Sequence, residues 1–424
     1  MTSVVESAKQ AGDKATMITR RLFAGLAALF ILCAAAPAAT ATERTPLILV
    51  SIDGFRAEYL KRSSTPNLRR LAEEGAWAEA GMRPSFPSNT FPNHYTLVTG
   101  LRPDHHGLVD NTMFDAARPG VKFSMGARDQ VQDRFWWDGG EPIWVTAERA
   151  GRRPAPMFWP GSEADVHGVR PWTWLGPDEA LTAVDRVDRL LGWLDLPRAQ
   201  RPAFMTLYFE AVDSAGHRSG PHGDELVRAL ESVDAAVARL VEGLKARGLY
   251  DAVNIVIVAD HGMAEVSPER VAFLDDIAPM EDVAIVTLGW TTTLIPQTPQ
   301  AEARLVGKHG HFECWRKAQM PARFVYGTHP RIPPVVCLAE TGWLITTRAR
   351  FAERPVKAVG GSHGADPFDP QMRALFLAHG PGVRPGARLA TFDNVSVYPL
   401  LMRLLALTPA PNDGRFEDVA PALR

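Results

Sequence analysis

The chain has 424 residues, 46% of them hydrophobic and 22% charged, an ordinary globular composition with enough apolar material for a large core. A formal net charge of −2 excludes long-range attraction to a nucleic-acid polyanion, so any phosphate must be held by local groups such as metal ions or helix ends. Length allows two or three domains or one large α/β unit, and no repeat stands out at the solenoid periods.

At the N-terminus, Thr19-Arg20-Arg21 precedes the apolar run Leu22 to Ala36, and Ala39-Thr40-Ala41 offers a small-residue cleavage site. Residues 1–41 are therefore expected to be an export signal, and the paired arginines resemble the twin-arginine type, with the general secretory route as the alternative. The expected mature protein is a single domain over 42–424, periplasmic or secreted and without a membrane anchor. Cleavage removes Cys33 and leaves Cys314 and Cys337, which in an oxidising compartment points to one disulfide.

Leu47 to Ile52 is a continuous apolar run ending in Asp53-Gly54, the pattern of a buried strand followed by a turn. Thr65-Pro66 predicts a helix start, with the threonine hydroxyl as cap and proline in the first turn, and Gly75 as its stop. Ala203 to Phe209 reads as a second buried strand, leading to Glu210 and Asp213. Leu226, Leu230, Val233, Val237, Leu240 and Leu244 then repeat at helical spacing up to Gly248. Val253 to Ala259 is a third buried strand, ending in Asp260-His261-Gly262, and Arg373 to Ala378 a fourth. Alternation of this kind predicts an α/β fold with a mostly parallel central sheet flanked by helices. Residues 267–350, rich in Pro, Gly and His, read as a cap-like insertion.

In parallel sheets, polar chemistry collects beyond the carboxyl ends of the strands. Asp53, Asp213 and Asp260 sit there, and with His217, His261 and His363 they make six oxygen and nitrogen ligands. That is too many for one tetrahedral ion and right for two zinc ions whose open positions take substrate or nucleophile oxygen. Thr90 precedes Pro92, a good first-turn residue, so it falls near a helix N-terminus, where it is either an activated nucleophile or a plain cap. His309 and His311 have the spacing of a metal pair but fall in the insertion, and His94 reads as structural.

The ordered series Ile52-Asp53-Gly54-Phe55-Arg56, Thr90-Phe91-Pro92-Asn93-His94-Tyr95, Trp159-Pro160-Gly161-Ser162, Asp213-Ser214-Ala215-Gly216-His217, Asp260-His261-Gly262-Met263 and Ser362-His363-Gly364 resembles the nucleotide pyrophosphatase/phosphodiesterase family of the alkaline phosphatase superfamily. The resemblance runs from about Pro46 to the C-terminus. It implies an alkaline-phosphatase-like core and two zinc ions. Asp213, His217 and His363 would hold one; Asp53, Asp260, His261 and the Thr90 oxygen would hold the other. It implies Thr90 as a nucleophile that becomes phosphorylated, and Asn111 as donor to a non-bridging phosphate oxygen. It further implies Phe91 and an aromatic beyond Trp159, commonly a tyrosine in the family, as the two faces of a base-holding slot; this sequence offers Trp172 and Trp174 instead, of which Trp174 is the better match. The expected substrate is a nucleotide phosphodiester, with no stable nucleic-acid partner and a monomeric enzyme. Relatives on the same scaffold act on phospholipid-headgroup diesters or on monoesters. A monoesterase needs an added cation beside the phosphate, for which Arg56 and Lys122 are the candidates.

Overall fold

The computed structural model describes residues 45–178, 180–356 and 358–424; the expected export signal at 1–41 lies outside them. In chain order the elements that position the site are β1 (Leu47–Ile52), α1 (Pro66–Glu74), β2 (Ala76–Ala78), α2 (Thr90–Thr99), β3 (Thr112–Phe114), β4 (Lys122–Ser124), β5 (Pro154–Ala155) and α3 (Ala183–Leu194). There follow β6 (Phe204–Phe209), α4 (Ala211–Ser219), α5 (Asp224–Ala246), β7 (Asn254–Val258), β8 (Ala264–Val266), β9 (Val271–Phe273), β10 (Val283–Thr287) and β11 (Thr291–Pro296). The last are β12 (Gly307–His309), β13 (Phe312–Arg316), β14 (Val335–Ala339), β15 (Leu344–Thr346), α6 (Arg348–Glu353), β16 (Gly360–Ser362), β17 (Phe376–His379) and β18 (Ala387–Leu389).

Seven strands form the central sheet in the order β18-β2-β17-β7-β1-β6-β5. The predicted parallel character holds for six of them. The exception is β17, antiparallel to both neighbours, so the sheet is mixed. The fourth strand predicted at Arg373–Ala378 is therefore real, but shorter, displaced and reversed. At the centre, β7, β1 and β6 lie side by side and parallel, and every residue of β1 and β7 is buried. This is why they read as unbroken apolar runs: helices cover both faces of a parallel sheet. Leu226, Leu230, Val233, Val237, Leu240 and Leu244 all lie in the core face of α5.

The cap expected of Thr65 is absent. Its hydroxyl donates to the Tyr59 carbonyl at 3.1 Å, and no side-chain cap forms from it. Asp234 of α5 does the work instead, accepting from Asn67 N at 3.2 Å and Leu68 N at 2.8 Å. A carboxylate at a helix N-terminus satisfies orphan amides and meets the positive end of the dipole. It also pins α1 to α5.

Residues 283–339 form a second sheet, five antiparallel strands in the order β10-β11-β14-β13-β12, over a separate apolar cluster that includes Leu274, Leu294, Leu305 and Phe312. Cys314 on β13 and Cys337 on β14 are directly opposed and joined by a disulfide, inside that cluster.

Candidate active site

The three central parallel strands end on one edge, and each delivers a carboxylate there. Asp53 follows β1 and Asp260 is two residues beyond β7, while Asp213 lies in the first turn of α4, just after β6. Gly54 makes the first of these turns possible. Its φ is +65°, and a Cβ would come within 3.0 Å of Asp213. Its amide donates to Asp260 Oδ1 at 3.1 Å, tying two of the carboxylates together. His217 lies one helical turn after Asp213 on α4, hence on the same face. His363 reaches the edge because β16 pairs with β8, the strand that directly follows Asp260-His261-Gly262.

The six side chains fall into two groups, Asp213 with His217 and His363, and Asp53 with Asp260 and His261; within each, the ligand atoms lie within 4.8 Å of one another. The two groups adjoin, since the His261 and His363 rings stack at 3.7 Å.

Three contacts define how the imidazoles point. Nδ1 of His217, His261 and His363 sits 2.9, 2.9 and 3.0 Å from the carbonyls of Gly361, Gly262 and Ser88. A carbonyl only accepts, so each Nδ1 carries the proton. That leaves Nε2 facing carboxylates: His217 Nε2 is 3.5 Å from Asp213, His363 Nε2 3.7 Å from Asp213, and His261 Nε2 3.0 Å from Asp260 and 3.5 Å from Asp53. A neutral imidazole's lone pair against a carboxylate's lone pairs is repulsive unless a cation lies between them. Asp53 Oδ1, Asp213 Oδ1 and Asp260 Oδ2 are also buried without a hydrogen-bond partner. Buried polar atoms are nearly always satisfied, so three orphans at one edge mark a missing positive charge.

Protonation tells the same story. Burial, then Asp260 and Asp213, hold the Asp53 carboxyl well above its ordinary range. Burial, then His261 and His217, push His363 well below its own, keeping it neutral. Burial works against the Asp260 charge, yet His261 and His94 outweigh it and keep that carboxylate ionised. Burial likewise disfavours a charged His261, but Asp260 more than offsets it. A proton at that contact stands in for the cation that the donor set calls for. The residues present fit metal ions, and the imidazoles are oriented by backbone carbonyls as ligating histidines characteristically are.

Thr90 is the first residue of α2, with Asn89 at the cap position. Its hydroxyl makes no cap; Oγ1 lies 3.3 Å from His261 Nε2. The plain-cap reading of Thr90 therefore fails. Asn111 Oδ1 accepts from Phe91 N at 2.8 Å. An N–H can only donate, so the contact fixes the amide's orientation and leaves the Asn111 NH₂ to face outward. It also occupies the Phe91 amide, which is then not free for an anion at this helix end. Asp110 holds the same strip in place, accepting from Asn111 N at 2.7 Å and from Asn89 Nδ2 at 2.8 Å.

Phe91 packs against Phe123 and Trp137, with ring centroids 6.1 and 6.0 Å apart. Trp174 is 37% exposed and carries Arg170 over its ring at 5.1 Å. Among the described residues these two rings do not touch each other. His309 and His311 are not a metal pair: the first contacts the Leu305 carbonyl, the second Glu340 and the face of Trp343. Arg56 pairs with Glu58 at 2.9 Å, which leaves Lys122 as the unengaged cation of the two proposed from sequence.

The structural reading of His94 fits its contacts, while one residue, Tyr208, escaped the sequence reading. His94 is fully buried; it contacts the Thr90 carbonyl and Ser51 Oγ, each at 2.8 Å, and lies 3.4 Å from Asp260. Its spacing of four from Thr90 was the one available signal, since it puts both on one helix face. Tyr208 donates to Asp53 Oδ2, and burial followed by Asp53 keeps its phenol protonated. Nothing in the sequence marks Tyr208 apart from its place in β6.

Residues 47–366 match the family model for type I phosphodiesterase / nucleotide pyrophosphatase. A venom phosphodiesterase of Crotalus durissus collilineatus is 36% identical over 394 residues, covering 88% of this chain and 46% of its own. Ectonucleotide pyrophosphatase/phosphodiesterase family member 3 of Rattus norvegicus is 38% identical over 385 residues, covering 88% and 43%. The chain thus spans about half the length of these two relatives. An uncharacterised pyrophosphatase/phosphodiesterase of Schizosaccharomyces pombe is 37% identical, with 90% and 81% covered. Murine ectonucleotide pyrophosphatase/phosphodiesterase 5, solved as an inactive threonine-to-alanine variant with AMP, superimposes with a TM-score of 0.83 at 31% identity. That match covers 90% of this chain and all of the other.

Proposed function

The chain belongs to the type I phosphodiesterase / nucleotide pyrophosphatase family, and from that premise we propose that it hydrolyses nucleotide phosphodiester and pyrophosphate bonds through a phospho-threonine intermediate at Thr90. The observation that carries the reading is the Thr90 hydroxyl, freed from capping and set 3.3 Å from His261, a member of one of two adjoining metal-ligand groups. The AMP bound by the murine relative supports a nucleotide as substrate.

Asp213, His217 and His363 would hold one zinc ion, and Asp53, Asp260, His261 and Thr90 the other, a mixed nitrogen and oxygen set that suits zinc. When bound, the pair supplies Lewis acidity and stabilises negative oxygen on both sides of phosphorus. Thr90 Oγ1 gives up its proton to solvent and forms a bond to phosphorus as the bond to the leaving oxygen breaks, and the leaving group departs with those electrons. Water then attacks the phospho-threonine: its oxygen bonds to phosphorus as the Oγ1–phosphorus bond breaks, and one of its protons returns to Oγ1, releasing a nucleoside 5′-monophosphate and restoring the hydroxyl. The Asn111 NH₂, oriented by Phe91 N, donates to a non-bridging oxygen as its charge grows; such a donor contributes about 2.7–4 kcal/mol. Tyr208 holds Asp53, and His94 holds the α2 backbone at Thr90.

With ATP as substrate, the expected products are AMP and pyrophosphate. Release of ADP and phosphate, or turnover of nitrophenyl monoesters alone, would contradict a diesterase.

We read Phe91 and Trp174 as the two walls of the base slot. Stacking a base contributes about 1–3 kcal/mol. Trp174→Ala is accordingly expected to raise KM for a nucleotide ester by roughly 5- to 100-fold while kcat stays within twofold. An unchanged KM would move the second wall elsewhere.

A further inference from the structure

Between the central domain's α2 edge and the antiparallel sheet lies a cleft of about 430 Å³. Asn111 and His363 line it, as do β10 and the turn into β11, with Lys122 and Arg350 on its rim; neither Phe91 nor Trp174 borders it. We propose that this cleft is a subsite for an anionic leaving group, the pyrophosphate or longer phosphate tail of a nucleoside polyphosphate, held by Lys122 and Arg350. The inference rests on the function proposed above and deepens it.

Three observations carry it. The first is direction. In-line displacement puts the leaving oxygen opposite the nucleophile. Thr90 stands beside His261, in one ligand group, whereas the cleft opens beside His363, in the other. The second is the alternation of β4. Successive side chains of a strand point to opposite faces. Phe123 goes inward onto Phe91 and Trp137, so Lys122 is turned away from the base wall and toward the cleft it lines. The third is charge. Among the described residues Lys122 has no ion-pair partner, and Arg350 has only an exposed contact with Glu353 at 3.3 Å, a weak pairing that a phosphate can displace. Asp110 is the carboxylate in the wall. It is 4% exposed, burial pushes its carboxyl up to about 6, and Oδ1 is spent on Asn89 and Asn111.

The test compares two substrates of the metal-loaded enzyme: ATP, whose leaving group is pyrophosphate, and the nitrophenyl ester of thymidine 5′-monophosphate, whose aryl leaving group carries no phosphate. Lys122→Glu and Lys122→Gln, with Arg350→Glu in parallel, are expected to lower kcat/KM for ATP, by about tenfold for the charge reversals, and to leave the aryl ester within twofold. The discrimination should shrink as salt is raised, since exposed charges are screened. Equal losses on both substrates, or no loss on ATP, overturn the subsite while the phosphodiesterase reading stands. A wild-type chain inactive on the aryl ester and on ATP removes that underlying reading, and this subsite with it.

Discussion

Replacing Thr90 with alanine is expected to lower kcat/KM for a nitrophenyl nucleotide ester by about 10⁴-fold or more, the scale on which removal of a covalent nucleophile acts. That loss is roughly 5.5 kcal/mol of transition-state stabilisation. Two bland effects compete with it, and both are too small. Loss of a helix cap costs about 0.5–2 kcal/mol of stability, but the Thr90 hydroxyl caps nothing and Asn89 occupies that position. Loss of a buried methyl and hydroxyl at a 7% exposed position affects folding rather than chemistry, and alanine suits the first turn of a helix. The variant should therefore fold, bind metal and fail to turn over. Thr90→Ser, which keeps the oxygen, should retain activity within about tenfold. The measurement is steady-state kinetics beside metal content. An alanine variant with more than a tenth of wild-type activity would sink the nucleophile.

Exhaustive chelation should do more than silence the enzyme. Each ion bound about 1,000-fold above its Kd contributes about 4.1 kcal/mol to the folded state. Two such ions, in a chain of this size, correspond to a Tm change on the order of 10 °C. The sign follows from the edge itself. Without cations, Asp53 Oδ1, Asp213 Oδ1 and Asp260 Oδ2 remain buried and unpartnered, and three Nε2 lone pairs confront them. Activity and Tm should fall together on chelation and recover together when zinc is restored. A protein indifferent to chelator in both respects would contradict the metal centre.

The site was more legible in the sequence than the fold around it, for a physical reason. β1, β6 and β7 announce themselves as buried apolar runs, and each stops where a carboxylate must face the opening. Asp53, Asp213 and Asp260 could thus be placed at one edge before any contact was known. Direction was not legible for β17, because the hand of a connection between distant strands leaves no local mark. The five-stranded sheet was not legible either. β10 is half exposed and the region is punctuated by proline and glycine, so neither period dominates. Thr65 misled because its type and place are right for a cap, while the actual cap, Asp234, comes from 169 positions downstream and only through packing of α5 on α1. His94 and Tyr208 act through partners that only the folded chain supplies. Trp174 stays a proposal because its loop has neither helical nor strand spacing to fix where the ring points.

The β3–β4 hairpin places Phe123 behind Phe91 and Lys122 on the cleft, one residue apart. If Phe91 and the cleft bind as proposed, preferences for the two ends of a substrate hang on the same peptide step and cannot drift independently. A one-residue insertion or deletion within β4 would exchange the two faces, burying a cation against the aromatics and presenting a phenyl ring to phosphate. Length changes are better borne in the 119–121 part of the turn, where they leave the pairing of Thr112 with Ser124 and Phe114 with Lys122 intact and spare the Asp115–Arg331 and Arg118–Asp133 ion pairs. Variation among homologous chains should accordingly collect in that turn and spare the strand, giving the hairpin the character of a ruler whose markings are fixed and whose handle is free.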